Sequence, residues 1–122
     1  VLLAEDNEIN AEITMTVLKD KGLEVEHAED GVVCINMLDK AAPDYYDIIL
    51  MDIQMPNMDG YQATREIRVM ADPVKSKIPI VAMTANAFKE DVEKALSVGM
   101  NAHIAKPVDV RKMMETLTEL LK

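Results

Sequence analysis

Cysteine is almost missing from this 122-residue chain. The single Cys34 can form no internal disulfide, so a reducing, cytoplasmic compartment is expected. Cys34, His27 and His103 fall on different predicted elements, which leaves no Cys/His set for zinc. Positive charge is scarce too: 13 Lys and Arg against 22 Asp and Glu give a net charge of −9. Binding nucleic acid means neutralising phosphates with Lys and Arg, so this balance argues against nucleic acid as a direct partner. No apolar run approaches the length that spans a bilayer, and the N-terminus shows no basic signal-peptide region. This domain is therefore not expected to contact a membrane, although a parent chain could carry an anchor. Neither G-x-G-x-x-G nor G-x-x-x-x-G-K-[ST] occurs, which removes the dinucleotide and P-loop uses of an α/β fold.

What is present is a regular alternation of apolar runs and helical periodicities. The chain is 49% hydrophobic and 29% charged, ordinary for one globular domain over residues 1–122. Strands are predicted at Val1–Ala4, Leu23–Ala28, Asp47–Met51, Ile78–Met83 and His103–Ala105. The second is the most polar and reads as an edge. The third carries the run Ile48-Ile49-Leu50-Met51, apolar on both faces, and belongs in the middle of a sheet covered by helices. Between the strands, Ile9, Ile13 and Val17 recur at i, i+4 and i+8 with Leu18 beside them, predicting a helix that stops near Lys21-Gly22. Asp30 caps a second helix with Cys34, Ile35 and Leu38 inward. Asp59 and Gln62 make a capping pair for a third through Ala71, burying Ala63, Ile67 and Met70. Phe88, Val92 and Leu96 stripe a fourth, ended by Gly99. The last runs from about Val108 and presents Val110, Met113, Met114, Leu117, Leu120 and Leu121. Five strand–helix units imply a parallel sheet with helices on both faces and right-handed crossovers. The ten methionines are read as adaptable core packing.

Chemically active residues close four of the five strands: Glu5-Asp6, Asp52, Thr84 and Lys106. In an open parallel sheet, ligands bind beyond the carboxyl ends of the strands, where strand order reverses. One polar residue there merely caps a strand; four sets at equivalent positions point to a site. Glu5, Asp6 and Asp52 would place three anions in one cleft. Two carboxylates about 4 Å apart repel by roughly 4 kcal/mol at an effective dielectric near 20. A hard cation such as Mg²⁺, which takes oxygen ligands and keeps several waters, removes the conflict. Together with Lys106 it would also offset the charge of a phosphoryl group, for which Asp52 is the natural acceptor.

The segments Leu3-Ala4-Glu5-Asp6-Asn7, Leu50-Met51-Asp52-Ile53-Gln54-Met55-Pro56-Asn57-Met58-Asp59-Gly60, Met83-Thr84-Ala85-Asn86-Ala87 and Gly99-Met100-Asn101-Ala102-His103-Ile104-Ala105-Lys106-Pro107 together resemble the receiver (response-regulator) domain of two-component signalling. The likeness covers essentially the whole chain. It implies a doubly wound, flavodoxin-like α/β fold with strand order 2-1-3-4-5 and five helices. It implies Asp52 as phosphoacceptor from a phosphohistidine, with slow autodephosphorylation. Asp6 and Asp52 would ligate Mg²⁺ directly (Mn²⁺ being a substitute), with the backbone carbonyl of Gln54 as a third ligand and Glu5 acting through water. Thr84 and Lys106 would bind phosphoryl oxygens. Gln54 and Asn86 fall at positions that tune hydrolysis, and Lys106-Pro107 at a cis peptide. Two departures stand out: Glu5-Asp6 replaces the commoner Asp-Asp pair, and His103 replaces an aromatic rotamer switch. His103 reads either as an ordinary edge-strand histidine, the reading favoured slightly, or as a pH-sensitive switch.

The wording around Thr84-Ala85-Asn86-Ala87 and Ala102-His103-Ile104 looks most like receivers fused to hybrid sensor histidine kinases. The abrupt ends at Val1 and Lys122 fit a domain cut from such a chain. The expected partner is a histidine kinase dimerisation domain or a histidine phosphotransfer domain. A free-standing regulator is the alternative within this class. A phosphatase of the aspartyl-phosphate type would need a second acid where Gln54 stands. A phosphorylation-independent pseudo-receiver would lack site residues that are all present.

Overall fold

The computed structural model describes residues 1–85, 89–106 and 109–121. In chain order its elements are β1 (Leu2–Ala4), α1 (Glu8–Asp20), β2 (Glu26–Ala28), α2 (Gly31–Lys40), β3 (Ile49–Asp52), α3 (Gly60–Arg68), α4 (Pro73–Ser76), β4 (Ile80–Thr84), α5 (Lys89–Ser97), β5 (Ala102–Ala105) and α6 (Val110–Leu120). The five strands are parallel in the order β2-β1-β3-β4-β5. That is the expected doubly wound order, with β3 central and β2 on an edge.

Alternation along each strand divides the core into two layers. Leu2, Ala4, Ile49, Met51, Ile80 and Ala82 pack with Cys34 and Leu38 of α2, Ala63 and Ile67 of α3, and Ala95 of α5. On the other face Leu3, Leu50, Val81, Met83 and Ile104 pack with Ala11 and Leu18 of α1 and Met113 and Leu117 of α6. Each fully buried Leu, Ile or Met contributes about 1.5–3 kcal/mol of transfer free energy, so a one-residue slip of any central strand would invert its faces and is strongly disfavoured.

Helix starts follow the predicted chemistry. Asp30 Oδ1 accepts from Val33 N (2.9 Å) and Asp59 Oδ1 from Gln62 N (2.8 Å). The fold corrects the expected count, because six helices occur among the described residues. α3 stops at Arg68, and Asp72 then caps the extra short helix α4, with Pro73 opening it. The sequence Asp72-Pro73 carries both a cap and an N1 proline, but four residues show no periodicity to read. Leu23 is also not part of β2: Gly22, at φ +83, turns the chain, and Leu23 N donates back to Leu18 O (3.1 Å).

Two apolar stripes are out of phase with the core. Ile9 and Ile13 of α1 are 70% and 58% exposed, while Ala11, Thr14 and Leu18 face the sheet. In α5, Ala95 is buried and Leu96 is 53% exposed. In both helices a small residue lets the backbone approach the sheet closely, and packing overrides the larger side chain's pull. Phe88, read as part of the α5 stripe, lies outside the described residues.

Candidate functional site

Parallel register brings the strand ends together. Ala4 is paired with Met51, Asp52 with Met83, and Thr84 with Ala105. Glu5, Asp52, Thr84 and Lys106 therefore emerge along one edge, and Lys106 N donates to Thr84 O (2.7 Å). They line a cleft of about 430 Å³ with Asp6 and Gln54. Three of its polar side chains are deep, Glu5 at 2%, Asp52 at 5% and Thr84 at 7% exposed, while Asp6 is exposed at the mouth.

The Lys106 ammonium ties the acids together, lying 2.9 Å from Asp52 Oδ2 and 3.2 and 3.3 Å from the two Glu5 oxygens. One cation between two buried carboxylates leaves an excess of negative charge. Burial, and after it the Asp52 carboxylate, pushes the Glu5 carboxyl up to about 7 against the opposing pull of Lys106. Burial alone would lower Lys106, but Asp52 and Glu5 outweigh it and raise its pKa. The ammonium thus stays charged while the site remains short of positive charge.

Glu5, Asp6 and Asp52 each bring one oxygen to within 4.8 Å of the others. The donor set is all hard oxygen, without thiolate or imidazole, and its charge is only partly offset by Lys106. It fits a hard divalent cation and not zinc.

Backbone geometry shapes the floor. The chain leaves Asp52 through Ile53 and returns at Gly60, whose N–H donates to Ile53 O (2.8 Å). A Cβ on Gly60 would run into the Asp52 carbonyl, so this close approach requires glycine. His27 pins β1 by a 2.6 Å hydrogen bond between its Nε2 and Glu5 O.

Glu5, Asp6, Asp52, Gln54, Thr84 and Lys106 are all brought to the cleft. His103 is not: it is exposed on edge strand β5 and borders a separate groove beside α6. Asn86 and Pro107 lie outside the described residues. The sequence reading missed the cleft's outer wall, formed by Asn7, Asn10, Asp59, Tyr61, Asp91 and Lys94. Tyr61 and Lys94 meet there, the ammonium 4.5 Å from the ring centroid. Their separation in sequence carries no signal for this contact, whereas Asn7 directly follows the acidic pair and Asn10 lies one helix turn further on.

A doubly wound sheet with a carboxylate, hydroxyl and ammonium cleft at its switch point defines the class: a flavodoxin-like domain built around a polar cation-and-anion site. Comparisons with known proteins give the family. The model described as the response regulator receiver domain matches residues 1–118, and the chain belongs to that family. It is 41% identical to hybrid signal transduction histidine kinase B of Dictyostelium discoideum, over all of this chain and 6% of that protein. It is 38% identical to the sensor protein GacS of Pseudomonas syringae pv. syringae, over 96% of this chain and 13% of that protein. Among solved structures, the receiver domain of a sensor histidine kinase from Pseudomonas aeruginosa, described with a magnesium ion coordinated in its active-site cleft, is similar at 38% identity and TM-score 0.87. The match covers 98% of this chain and 94% of that one. The Vibrio cholerae chemotaxis protein CheY4 also superimposes with TM-score 0.87, at 27% identity over 98% and 96% of the two chains. This chain thus spans only a small fraction of the curated kinases it matches. None of the described helices is long and apolar enough to cross a membrane.

Proposed function

We propose that this chain is the phosphoacceptor module of a two-component phosphorelay, with Asp52 receiving a phosphoryl group from a phosphohistidine. The observation that carries this reading is the Lys106 ammonium held 2.9 Å from a buried Asp52 carboxylate. In the transfer, an Asp52 oxygen forms the O–P bond as the N–P bond of the donor breaks, and that bond's electron pair returns to the donor imidazole. Asp52 gives up its own charge to the acyl linkage, and Lys106 becomes the counter-ion of the phosphoryl oxygens. Thr84, at the end of β4, would donate a hydrogen bond to another. Asp6 and Asp52 would hold Mg²⁺, or Mn²⁺ in its place, with the Gln54 carbonyl as a further ligand and Glu5 acting through water. The bound cation supplies charge neutralisation at the phosphoryl oxygens. Hydrolysis then resets the domain, tuned by Gln54 and Asn86.

The kinases it resembles support a place within a longer hybrid sensor histidine kinase, working on the cytoplasmic side. The donor is then a kinase dimerisation domain or a histidine phosphotransfer domain. Exposed Ile9 and Ile13 lie on α1, the helix whose first turn lines the cleft, and give such a partner apolar surface beside the acceptor. Gln54 is exposed and is not an acid, so the position two residues after Asp52 lacks the second carboxyl that an aspartyl-phosphate phosphatase would use on free phosphate esters.

The test is intact mass after incubation with acetyl phosphate and Mg²⁺. One added phosphoryl group is expected for the wild type and none for Asp52→Asn or in EDTA. An adduct that persists in Asp52→Asn would remove Asp52 from this role.

A further inference from the structure

The floor of the cleft is a loop with nothing fully buried in it. From Gln54 to Asp59 every residue is exposed or half-exposed, with Met55 and Met58 packed partly against the core, so apolar packing anchors the loop at two points and leaves its polar residues to hydrogen bonds. Its two ends are fixed at Asp52 by the Gly60–Ile53 hydrogen bond and the close approach of Gly60. Its tip is fixed elsewhere, on the N-terminus of α2. Asn57 adopts φ +66, the left-handed region that non-glycine residues enter at a cost. Its Nδ2 donates to Asp30 Oδ2 (2.8 Å). Asp30 is 6% exposed and caps α2 with its other oxygen. Beside this pair, a Cβ on Gly31 would meet Met58 O at 2.6 Å, so the helix backbone lies directly against the loop. The Val33 amide, and after it Asn57, hold the Asp30 carboxyl below its usual range.

We propose that Asp30 and Asn57 are a positioning pair for the cation site, pinning the loop tip to α2 so that Gln54 and Asp59 keep their places in the cleft. The inference rests on the reading of the cleft as a cation site. With both loop ends held at Asp52 and the tip held on α2, the intervening residues have little freedom left. Released from Asp30, the exposed segment would relax out of the left-handed turn and carry Gln54 with it. Neither residue touches the cation; each acts through the loop.

The two roles of Asp30 can be separated because Asn caps a helix as well as Asp does. Asp30→Asn keeps Oδ1 on the Val33 amide but turns an NH₂ toward the NH₂ of Asn57. Asn57→Asp sets two carboxylates against each other, and aspartate still tolerates the left-handed turn. The double exchange, Asp30→Asn with Asn57→Asp, restores one donor and one acceptor with the direction reversed and the net charge unchanged.

Isothermal titration with Mg²⁺ reads the outcome, with urea denaturation as a check on folding. Each single variant is expected to bind Mg²⁺ about tenfold more weakly, the size of effect seen when groups behind metal ligands are lost, and the double variant to recover most of it. Long-range charge alone predicts the opposite for Asn57→Asp, which adds an anion; tighter binding there would overturn the proposal. So would unchanged affinity in both single variants, or a double variant as weak as either. Asp6→Ala serves as the control that binding occurs in the cleft. If the wild type binds Mg²⁺ no better than Asp6→Ala, the cation reading and this inference both fall. If the wild type binds and the pair is silent, only the inference falls.

Discussion

Two half-buried cations hold opposite edges of the same sheet, and they work differently. At the carboxyl edge Lys106 faces two acids, Asp52 and Glu5. At the other edge Arg68 faces only neutral oxygens. Its Nε donates to Gly99 O (2.9 Å), one terminal nitrogen to Ser76 O (2.9 Å) and Ile78 O (2.7 Å), and the other to Asn101 Oδ1 (2.9 Å). Asn101 Oδ1 also accepts from Ile80 N (2.9 Å). The planar fork of arginine spans four fixed acceptors and welds α3, α4, the start of β4 and the turn before β5. The point charge of lysine can change partners when a phosphoryl group arrives. One edge is saturated and static; the other is left with unbalanced charge.

Removing each cation should break that contrast most visibly. Arg68→Ala orphans several carbonyls and is expected to cost about 3 kcal/mol in urea denaturation, since hydrogen bonds to charged groups carry roughly 1.5–3 kcal/mol each and neighbouring waters recover part. Lys106→Met should act the other way round. Its phosphoryl adduct from acetyl phosphate should drop about tenfold, the size of one charge-stabilising group. Mg²⁺ should raise its melting temperature more than the wild type's, because Asp52 and Glu5 have lost the ammonium between them. An equal Mg²⁺ effect in both proteins would mean that Lys106 and the cation do not share the same charges.

The charge imbalance has a pH signature. Glu5 titrates near 7 in the fold against an ordinary value of 4.5. A raised acid favours the folded state below its unfolded pKa, and that contribution fades as pH rises through the folded one. Metal-free wild type should therefore lose stability relative to Glu5→Gln between pH 4.5 and 7 and level off above. Mg²⁺ should bind more tightly across the same range, because below it the cation must displace the Glu5 proton. A constant gap between the two proteins from pH 4.5 to 8 would show that Glu5 ionises normally. The smallest effect belongs to the outer wall: Lys94→Met, which removes the ammonium from the Tyr61 ring, should cost about 0.5 kcal/mol, as exposed cation–π pairs do.

The strand core and its order of burial were readable because period-2 alternation and the apolar run through Ile48–Met51 are local signals. The caps at Asp30 and Asp59 were readable for the same reason: a side-chain oxygen and an amide three residues on suffice. Helix facing was less readable. Ile9 and Ile13 mark a helix but not its buried side, because Ala11 and Thr14 win the sheet by allowing close approach. α4 escaped because one turn has no period. Arg68 gave no sign at all, as its four acceptors lie 8 to 33 residues away in the chain.

The sequence by itself determined the five strands and the helices between them apart from α4, their parallel alternation and the residue types at the strand ends, since these depend on side-chain periodicity and chain direction. Tertiary structure decided what those residues do to one another. Only the folded register puts Lys106 between Asp52 and Glu5, 101 residues from the latter. Only burial turns Glu5 from an ordinary acid into one titrating near neutrality. Coulomb energy depends on distance and on the surrounding dielectric, and a linear chain specifies neither until it is packed.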